Sequence, residues 1–548
     1  MFKKSVQLSC AIKFFYAIVL LLPSLSFASL NVSIVEEPQI YRAIDQLISL
    51  RLIDKVILGH KPWSRSEAAR LIKEAQENIS RIEDVEVEVE ARRVLKYLSR
   101  EFKKELEEDF SFKLSPFSKI NLEYLFLDSP FRKVAPVSTG GGDQIDAFIN
   151  PLVSHQLGRN FADTHNGFME TRHEIELGRY FSIAGNTTFL ARTGKQTSDE
   201  VNLRFDELYL RSEFKNIGVQ FGRDILAWGQ GSLGGLIHST NATPLDMFKI
   251  SNIHPFYYPW IFKHLGPSQI SFYFSVLEES RDRPHPYMVG YKFSFRPLKN
   301  FEFGFTNAIL SGGEGGSPAS AGQRLADVFG FLGNGFGSDP NISNRVGGFD
   351  FALRIPPLRG AKLYYEVLFE DLLPPGHWNT MFLDEAIHQA GILFGRLNKT
   401  GTQSLRLEYQ HSGYRPYRHA QYTSGWTRNE KIMGSELGPD ADGLLIEFES
   451  QPTFDFAQRH SIAAEVRDSD LFALLNNATV VRKTQDNPSE KRFRWMSSFD
   501  LHHNPKVSWN LSFGYERVYG FNFVPGRNIN NFLVGLKMTM RPWQKSYF

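Results

Sequence analysis

The sequence predicts an all-β chain: a large antiparallel β-barrel of the outer-membrane kind, preceded by a small α-helical segment. Three observations predict it. From about Ser111 onward, apolar and polar residues alternate in strand after strand. The polar members of those strands are often charged, so one face is greasy and the other ionic. Short turns alternate with long stretches rich in Gly, Pro and polar residues. An antiparallel sheet of this length must hide its edges, and closure removes them. An apolar exterior around a polar interior is the inversion found in barrels that sit in a bilayer.

The elements follow in order. Lys3, Lys4 and Lys13 precede an apolar run from Phe14 to Leu22, and Ser26-Phe27-Ala28 supplies a small-x-small cleavage pattern. Residues 1–28 therefore read as a secretory signal peptide. The run is too short for a transmembrane helix, which needs about 20 apolar residues. Residues 29–112 read as a helical segment on the periplasmic side. Ile40, Ile44, Leu47 and Ile48 recur at helical spacing. So do Ala68, Leu71, Ile72 and Ala75, and then Leu95, Leu98, Phe102, Leu106 and Phe110. Ser64-Arg65-Ser66-Glu67 fits a reciprocal capping box.

Residues 113–548 read as the barrel. Alternating strands are predicted over Phe181–Ala191, Tyr287–Phe295, Phe301–Phe305, Ala361–Phe369, Trp495–Leu501, Val507–Tyr515 and Phe532–Met540. Their opposite faces carry Lys292, Arg296, Lys362, Glu366, Arg406 and Glu408. Short turns are expected at 296–300, 356–360, 398–401 and 503–506. Long loops are expected over 224–268, 311–346, 371–388 and 413–443.

Composition narrows the function. The 548 residues carry 62 Lys+Arg against 60 Asp+Glu, for a formal charge of +2. That balance excludes a nucleic-acid binder, which needs a basic excess to neutralise phosphates. With 47 Phe, 20 Tyr and 8 Trp, the chain is too aromatic to be disordered. A mean hydropathy of −0.29 is too polar for a bundle of membrane helices. The single cysteine, Cys10, excludes a disulfide framework and a Cys-based zinc site. Neither a G-x-S-x-G elbow, nor an H-E-x-x-H helix, nor a phosphate loop stands in a strand–helix context. Asp440-x-Asp442 lacks the rest of a calcium loop. The adjacent His502 and His503 point to opposite faces of a strand. A non-enzyme without metal or cofactor is expected.

The segment Gly222-Arg223-Asp224-Ile225-Leu226-Ala227-Trp228-Gly229-Gln230-Gly231 runs on through Gly234, Ser239-Thr240-Asn241-Ala242 and Pro244. It resembles the Wzi family of capsule-assembly proteins in its Gly-Arg strand end, its Trp-Gly-x-Gly turn and its Asn-Ala-x-Pro stretch. Gln230 stands where that family commonly has Pro. Two further pieces match: Gly434 with Gly438-Pro439-Asp440-Ala441-Asp442-Gly443, and Leu405-Arg406-Leu407-Glu408-Tyr409. The resemblance covers about Ile120 to the C-terminus. It implies a monomeric barrel of about 18 strands with a packed lumen. It also implies a lectin-like protein that attaches capsular or extracellular polysaccharide to the cell surface. A porin or polysaccharide export channel is the alternative. The motif positions Gly222, Arg223, Trp228, Gly229, Gly231, Asn241 and Pro244 are expected to be structural. A looser resemblance, around Ile44–Leu47 and Lys61–Ala69, is to the helix–loop–helix of S-layer-homology modules; a spacer or barrel plug is preferred for that segment.

Candidate polysaccharide contacts come from residue chemistry. Tyr414, Arg415, Tyr417, Arg418 and Trp426 share one long loop with His419, Tyr422 and Arg428. Flat rings pack on sugar C–H faces, and guanidinium groups pair with uronate carboxylates. With short turns toward the periplasm, the strand starting at Leu405 delivers this loop to the outside. The competing expectation is that these arginines pair with lumen carboxylates such as Glu366 or Glu408 and hold the loop in place. Phe256, Tyr257, Tyr258 and Trp260 form a second, weaker cluster. The expected partners are polysaccharide and outer-membrane lipid.

Overall fold

The computed structural model describes residues 38–107, 112–133, 145–178, 180–232, 235–329, 342–370, 382, 386–413, 415–453, 455–467, 489–504 and 506–542. The predicted signal peptide and Tyr414 lie outside the described residues.

Eighteen antiparallel strands close into one barrel. In chain order they are β1 (Lys113–Leu127), β2 (Thr164–Leu177), β3 (Phe181–Gly194), β4 (Glu200–Phe214), β5 (Ile217–Asp224), β6 (Leu245–Asn252), β7 (Ser268–Val276), β8 (Tyr287–Leu298) and β9 (Phe301–Ser311). They continue as β10 (Ser343–Ile355), β11 (Ala361–Glu370), β12 (Ala386–Phe394), β13 (Gln403–Ser412), β14 (Ala441–Thr453), β15 (Phe456–Arg467), β16 (Glu490–Asn504), β17 (Val507–Tyr519) and β18 (Ile529–Met540). Each strand pairs with its neighbours in sequence. The seam closes between β1 and β18, with Ile120 opposite Met540 and Leu127 opposite Leu533.

Alternation sets the two faces. On β5, Val219 and Phe221 point out while Gln220 is buried; on β8, Lys292, Ser294 and Arg296 are buried inside. The outer face carries an aromatic ridge from Phe293 through Phe295 and Phe303 to Phe349 and Phe351, with ring centroids 5.2–6.5 Å apart. Such a face is stable only against lipid. Inside, many buried charges are paired: Arg159 with Glu170 and, at 2.7 Å, Asp206; Arg492 with Glu465 at 3.1 Å and Glu516 at 2.5 Å; Lys292 with Asp350. Pairing is what permits ions to be withdrawn from water.

The expected loop asymmetry is present, with one correction. The stretch 224–268 is not one loop: β6 lies within it, opposite β5 with Leu245 facing Asp224. The strand is only eight residues long and follows Pro244, so its period-2 signal is brief. Its two flanks emerge at opposite ends. Residues 225–232 and 235–244 enter the lumen from the long-loop end. Residues 253–267 sit at the short-turn end, where the amide of Ile253 donates to the Asn216 carbonyl (3.2 Å). The Phe256–Trp260 cluster therefore lies on the side opposite the long loops. Its Trp260 is 86% exposed, and Tyr258 meets the lipid-facing Phe295 at 6.4 Å.

The helical segment comprises α1 (Pro38–Ser49), α2 (Arg65–Glu77), α3 (Val85–Glu101) and α4 (Lys103–Glu107). Ile44, Leu47, Leu71, Ile72, Leu98 and Phe102 form one core. The predicted apolar stripes are thus the packing faces as far as Leu106, and Phe110 lies outside the described residues. The capping box is only half made. Ser64 Oγ accepts from the Glu67 amide (3.2 Å), but the Glu67 carboxylate turns to Arg70 and to His254 Nδ1 (2.7 Å). A stronger charged partner outcompetes the backbone amide. The bundle rests on the short turns through Arg42–Asp500 (3.0 Å), Gln46 Nε2 to the Thr400 carbonyl (2.8 Å), and Lys299–Asp54 (3.2 Å).

Candidate functional site

The lumen is entered from both ends. From below, the chain between α1 and α2 climbs into the barrel. The amides of Leu58 and Gly59 both donate to the Glu302 carboxylate on β9, each at 2.8 Å. His60 and Lys61 then pair antiparallel with Trp228 and Ala227 of the Gly-rich loop. His60 Nε2 lies 2.6 Å from Ser271 Oγ on the wall. Burial, aided by the Lys292 and Lys249 ammoniums, holds its pKa well below the ordinary histidine value, so the ring is neutral.

From above comes the family-like motif, and its residues take structural roles. Gly222 has φ +123°, and a Cβ there would stand 2.3 Å from the Leu208 carbonyl oxygen. Arg223 forks onto Asp246 at 2.8 and 2.7 Å. Trp228 is buried, edge-on to His238 at 5.5 Å. Gly229 has φ +137° and lies too close to Glu366 for a side chain. A Cβ on Gly231 would meet the Gln389 amide at 2.7 Å. Asn241 Nδ2 donates to the Ile432 carbonyl (2.9 Å), and the buried Pro244 leads into β6. Gln230 explains its own departure from the family pattern. Its Nε2 donates to Glu302 (2.9 Å) and Asp350 (3.0 Å), bonds that proline cannot make.

The long connection between β13 and β14 packs onto this motif. Tyr417, Tyr422 and Trp426 are fully buried. The Tyr417 hydroxyl donates to the Leu236 carbonyl (2.5 Å), and Trp426 Nε1 to the Ile237 carbonyl (3.1 Å). Arg428 pairs with Asp246 at 2.6 Å. His419 Nδ1 accepts from the amides of Gln421 (3.1 Å) and Tyr422 (3.2 Å).

The loop does lie at the long-loop end, as expected. Its expected exposed surface is not what the structure builds at Tyr417, Arg418 and Trp426, which are buried. Burying two large aromatics in a capped lumen yields more than leaving them in water, and their polar tips find backbone carbonyls. Of the described candidates only Arg415 is partly open. Arg428 does tie the loop down, but through Asp246 on the exposed face of β6 and not through a lumen carboxylate such as Glu366 or Glu408.

A cationic aromatic stack does reach the surface at the same end. Phe521, in the β17–β18 loop, lies 4.9 Å from the Arg132 guanidinium and 5.0 Å from that of Arg527. Arg132 itself is half-buried: it pairs with the buried Glu490 carboxylate and donates to Asn522 (2.9 Å), so Arg527 is the open cation of the stack. Sequence reasoning missed it because Arg132 and Phe521 are far apart in the chain. The only local signal was an aromatic pair, Phe521 and Phe523, between Gly520 and Gly526. Among the described residues no three His, Cys, Asp or Glu side chains gather as a metal site.

An 18-stranded closed barrel with an apolar exterior and a lumen occupied from both ends defines a plugged outer-membrane β-barrel. The family model of the capsule assembly protein Wzi matches residues 143–533, and the chain belongs to that family. The solved structure of Wzi from Escherichia coli, an outer-membrane protein involved in group 1 capsule assembly and a carbohydrate-binding β-barrel, is similar. It overlays with a TM-score of 0.62 at 17% identity, covering 93% of this chain and 99% of that one. An uncharacterized 55.8 kDa protein in the cps region of Klebsiella pneumoniae is 26% identical over 183 residues. That match covers 32% of this chain and 35% of the relative, so the chain spans about a third of its length.

Proposed function

We propose that this protein is a non-enzymatic, lectin-like anchor that holds capsular or extracellular polysaccharide at the outer surface. Membership in a capsule-assembly family supports it. The single observation that carries it over a pore is the occupied lumen, where His60–Lys61 from one end meets Ala227–Trp228 from the other. In this reading the helical segment faces the periplasm, the barrel works as a monomer in lipid, and the long loops meet the polymer. The contact surface is assigned to the partly exposed stack of Phe521 and Arg527, held by Arg132 beneath, with Arg415 on the neighbouring loop. Guanidinium groups suit acidic polymers, and a ring suits sugar C–H faces.

Deleting the gene and measuring cell-associated and free polysaccharide separately tests the reading. Polymer made in normal amount but shed into the medium is expected. Polymer accumulating inside the cell instead would assign the protein to export.

A further inference from the structure

A second feature lies at the opposite end from the long loops. Between α1 and the barrel wall is a cavity of about 360 Å³, opening among the short turns. Its roof includes Asp45 and Gln46 of α1. Its wall includes Lys362 of β11 and Arg406 of β13. Lys61 enters from the inserted segment, and the turn Gln230–Ser232 forms the inner limit.

Cations outnumber acids along this lining, and several are already satisfied. Arg42 is paired with Asp500, Lys299 with Asp54, and Arg406 reaches Glu447 at 3.5 Å. The Glu449 carboxylate is taken by Arg459. Lys61 and Lys362 are different: among the described residues neither has a carboxylate within ion-pair distance. Each leans on aromatic faces instead. Lys61 Nζ lies 5.1 Å from the Tyr41 ring and 5.8 Å from Trp63; Lys362 Nζ lies 4.8 Å from Tyr364. Lys362 also donates to the Gln230 carbonyl (3.3 Å). Asp45 attracts Lys61 across the cavity without ion-pair contact, while Arg406 repels it. Partly desolvated ammoniums of one sign, sharing one hollow, are costly unless an anion joins them.

We infer that this cavity binds an oxyanion, a carboxylate or phosphate carried on a group of monosaccharide size, gripped by Lys61 and Lys362. Its volume lies within the range of small-ligand pockets, and the short-turn residues Asn300, Pro357 and Gly401 belong to its lining. The inference does not rest on surface attachment of polymer, because the cavity and the long loops lie at opposite ends.

Titration calorimetry on the full chain in detergent tests it, with three probes: glucuronate, glucose 1-phosphate and glucose. The charged probes are expected to bind and glucose is not. Raising sodium chloride from about 50 to about 500 mM should weaken binding severalfold, because salt screens the attraction. Lys362→Met and Lys61→Met, made singly, should each weaken it about tenfold or more, while Lys362→Arg should largely retain it. Tighter binding of glucuronate would assign the natural ligand to acidic sugars; tighter binding of the phosphate ester would assign it to phosphorylated groups. Glucose binding as well as glucuronate, or no heat with either anion, would overturn the inference. Should a methionine variant fail to show heat-modifiable mobility, the three-probe comparison and salt dependence of the unaltered protein decide alone. Polysaccharide retention on the deletion strain is read separately, so a failure of the outer-surface reading would be seen apart from this one.

Discussion

Glu302 shows how much one side chain can organise. It accepts the amides of Leu58 and Gly59 and the Gln230 side chain at once, tying both lumen inserts to the wall. Orphaning a buried amide costs about 1–3 kcal/mol. Glu302→Ala should therefore release the inserted segment, exposing residues 53–64 to limited proteolysis and lowering the temperature of heat-modified mobility. Glu302→Gln, which keeps an acceptor oxygen, should be milder. His419 gives a pH dependence with a definite sign. Burial, reinforced by Arg283, lowers its pKa from 6.5 to about 4. Between those values the unfolded chain binds a proton that the folded loop does not, so stability is lost as pH falls from about 6.5 to about 4. The protonated ring also loses the Nδ1 lone pair that accepts two amides. Hydrogen exchange at Gln421 and Tyr422 should quicken at pH 5 relative to pH 7.5, and His419→Gln should flatten that response.

Elements differed in how readable they were. The long strands β3, β8, β11 and β18 repeat their period often enough to stand out, and each was legible. β6 was not: eight residues after a proline offer too few repeats to outvote the surrounding turn signals. The loop before β14 was legible as a loop at the long-loop end. The burial of its Tyr417 and Trp426 was not, because aromatic content looks the same on a surface as in a plug. The Ser64 cap was read correctly for its serine and wrongly for its glutamate, since the competing His254 arrives from the barrel. Ser64→Ala should cost about 1 kcal/mol, the usual value of such a cap, and Glu67→Gln should loosen the bundle from the 253–267 connection. Thermal melts of the two variants check this: additive losses are expected only if cap and ion pair act independently.

For the whole molecule, closure was legible from edge avoidance and alternating faces, but the lumen contents were not. They depend on contacts such as Gly229 N to the Gly59 carbonyl (3.0 Å), between segments that carry no pairing signal in one sequence. Two inserts meeting in mid-barrel predict an electrically silent protein. Planar-bilayer recordings should show no steady current without added ligand. A stable open-channel conductance in the unaltered chain would contradict the occupied lumen.

The seam between β1 and β18 has a bearing on biogenesis. The bundle is joined to β1 by a short stretch, Glu107 to Lys113, and the last strand to be made completes the ring. A finished ring offers no side entrance for the segment around His60 or for the Trp228 turn. Wrapping the sheet around both, as on a mandrel, spares them a later passage through the barrel's two ends. The lumen charges then lose water in the company of their partners rather than alone. On that order of assembly, filling and closure are one event.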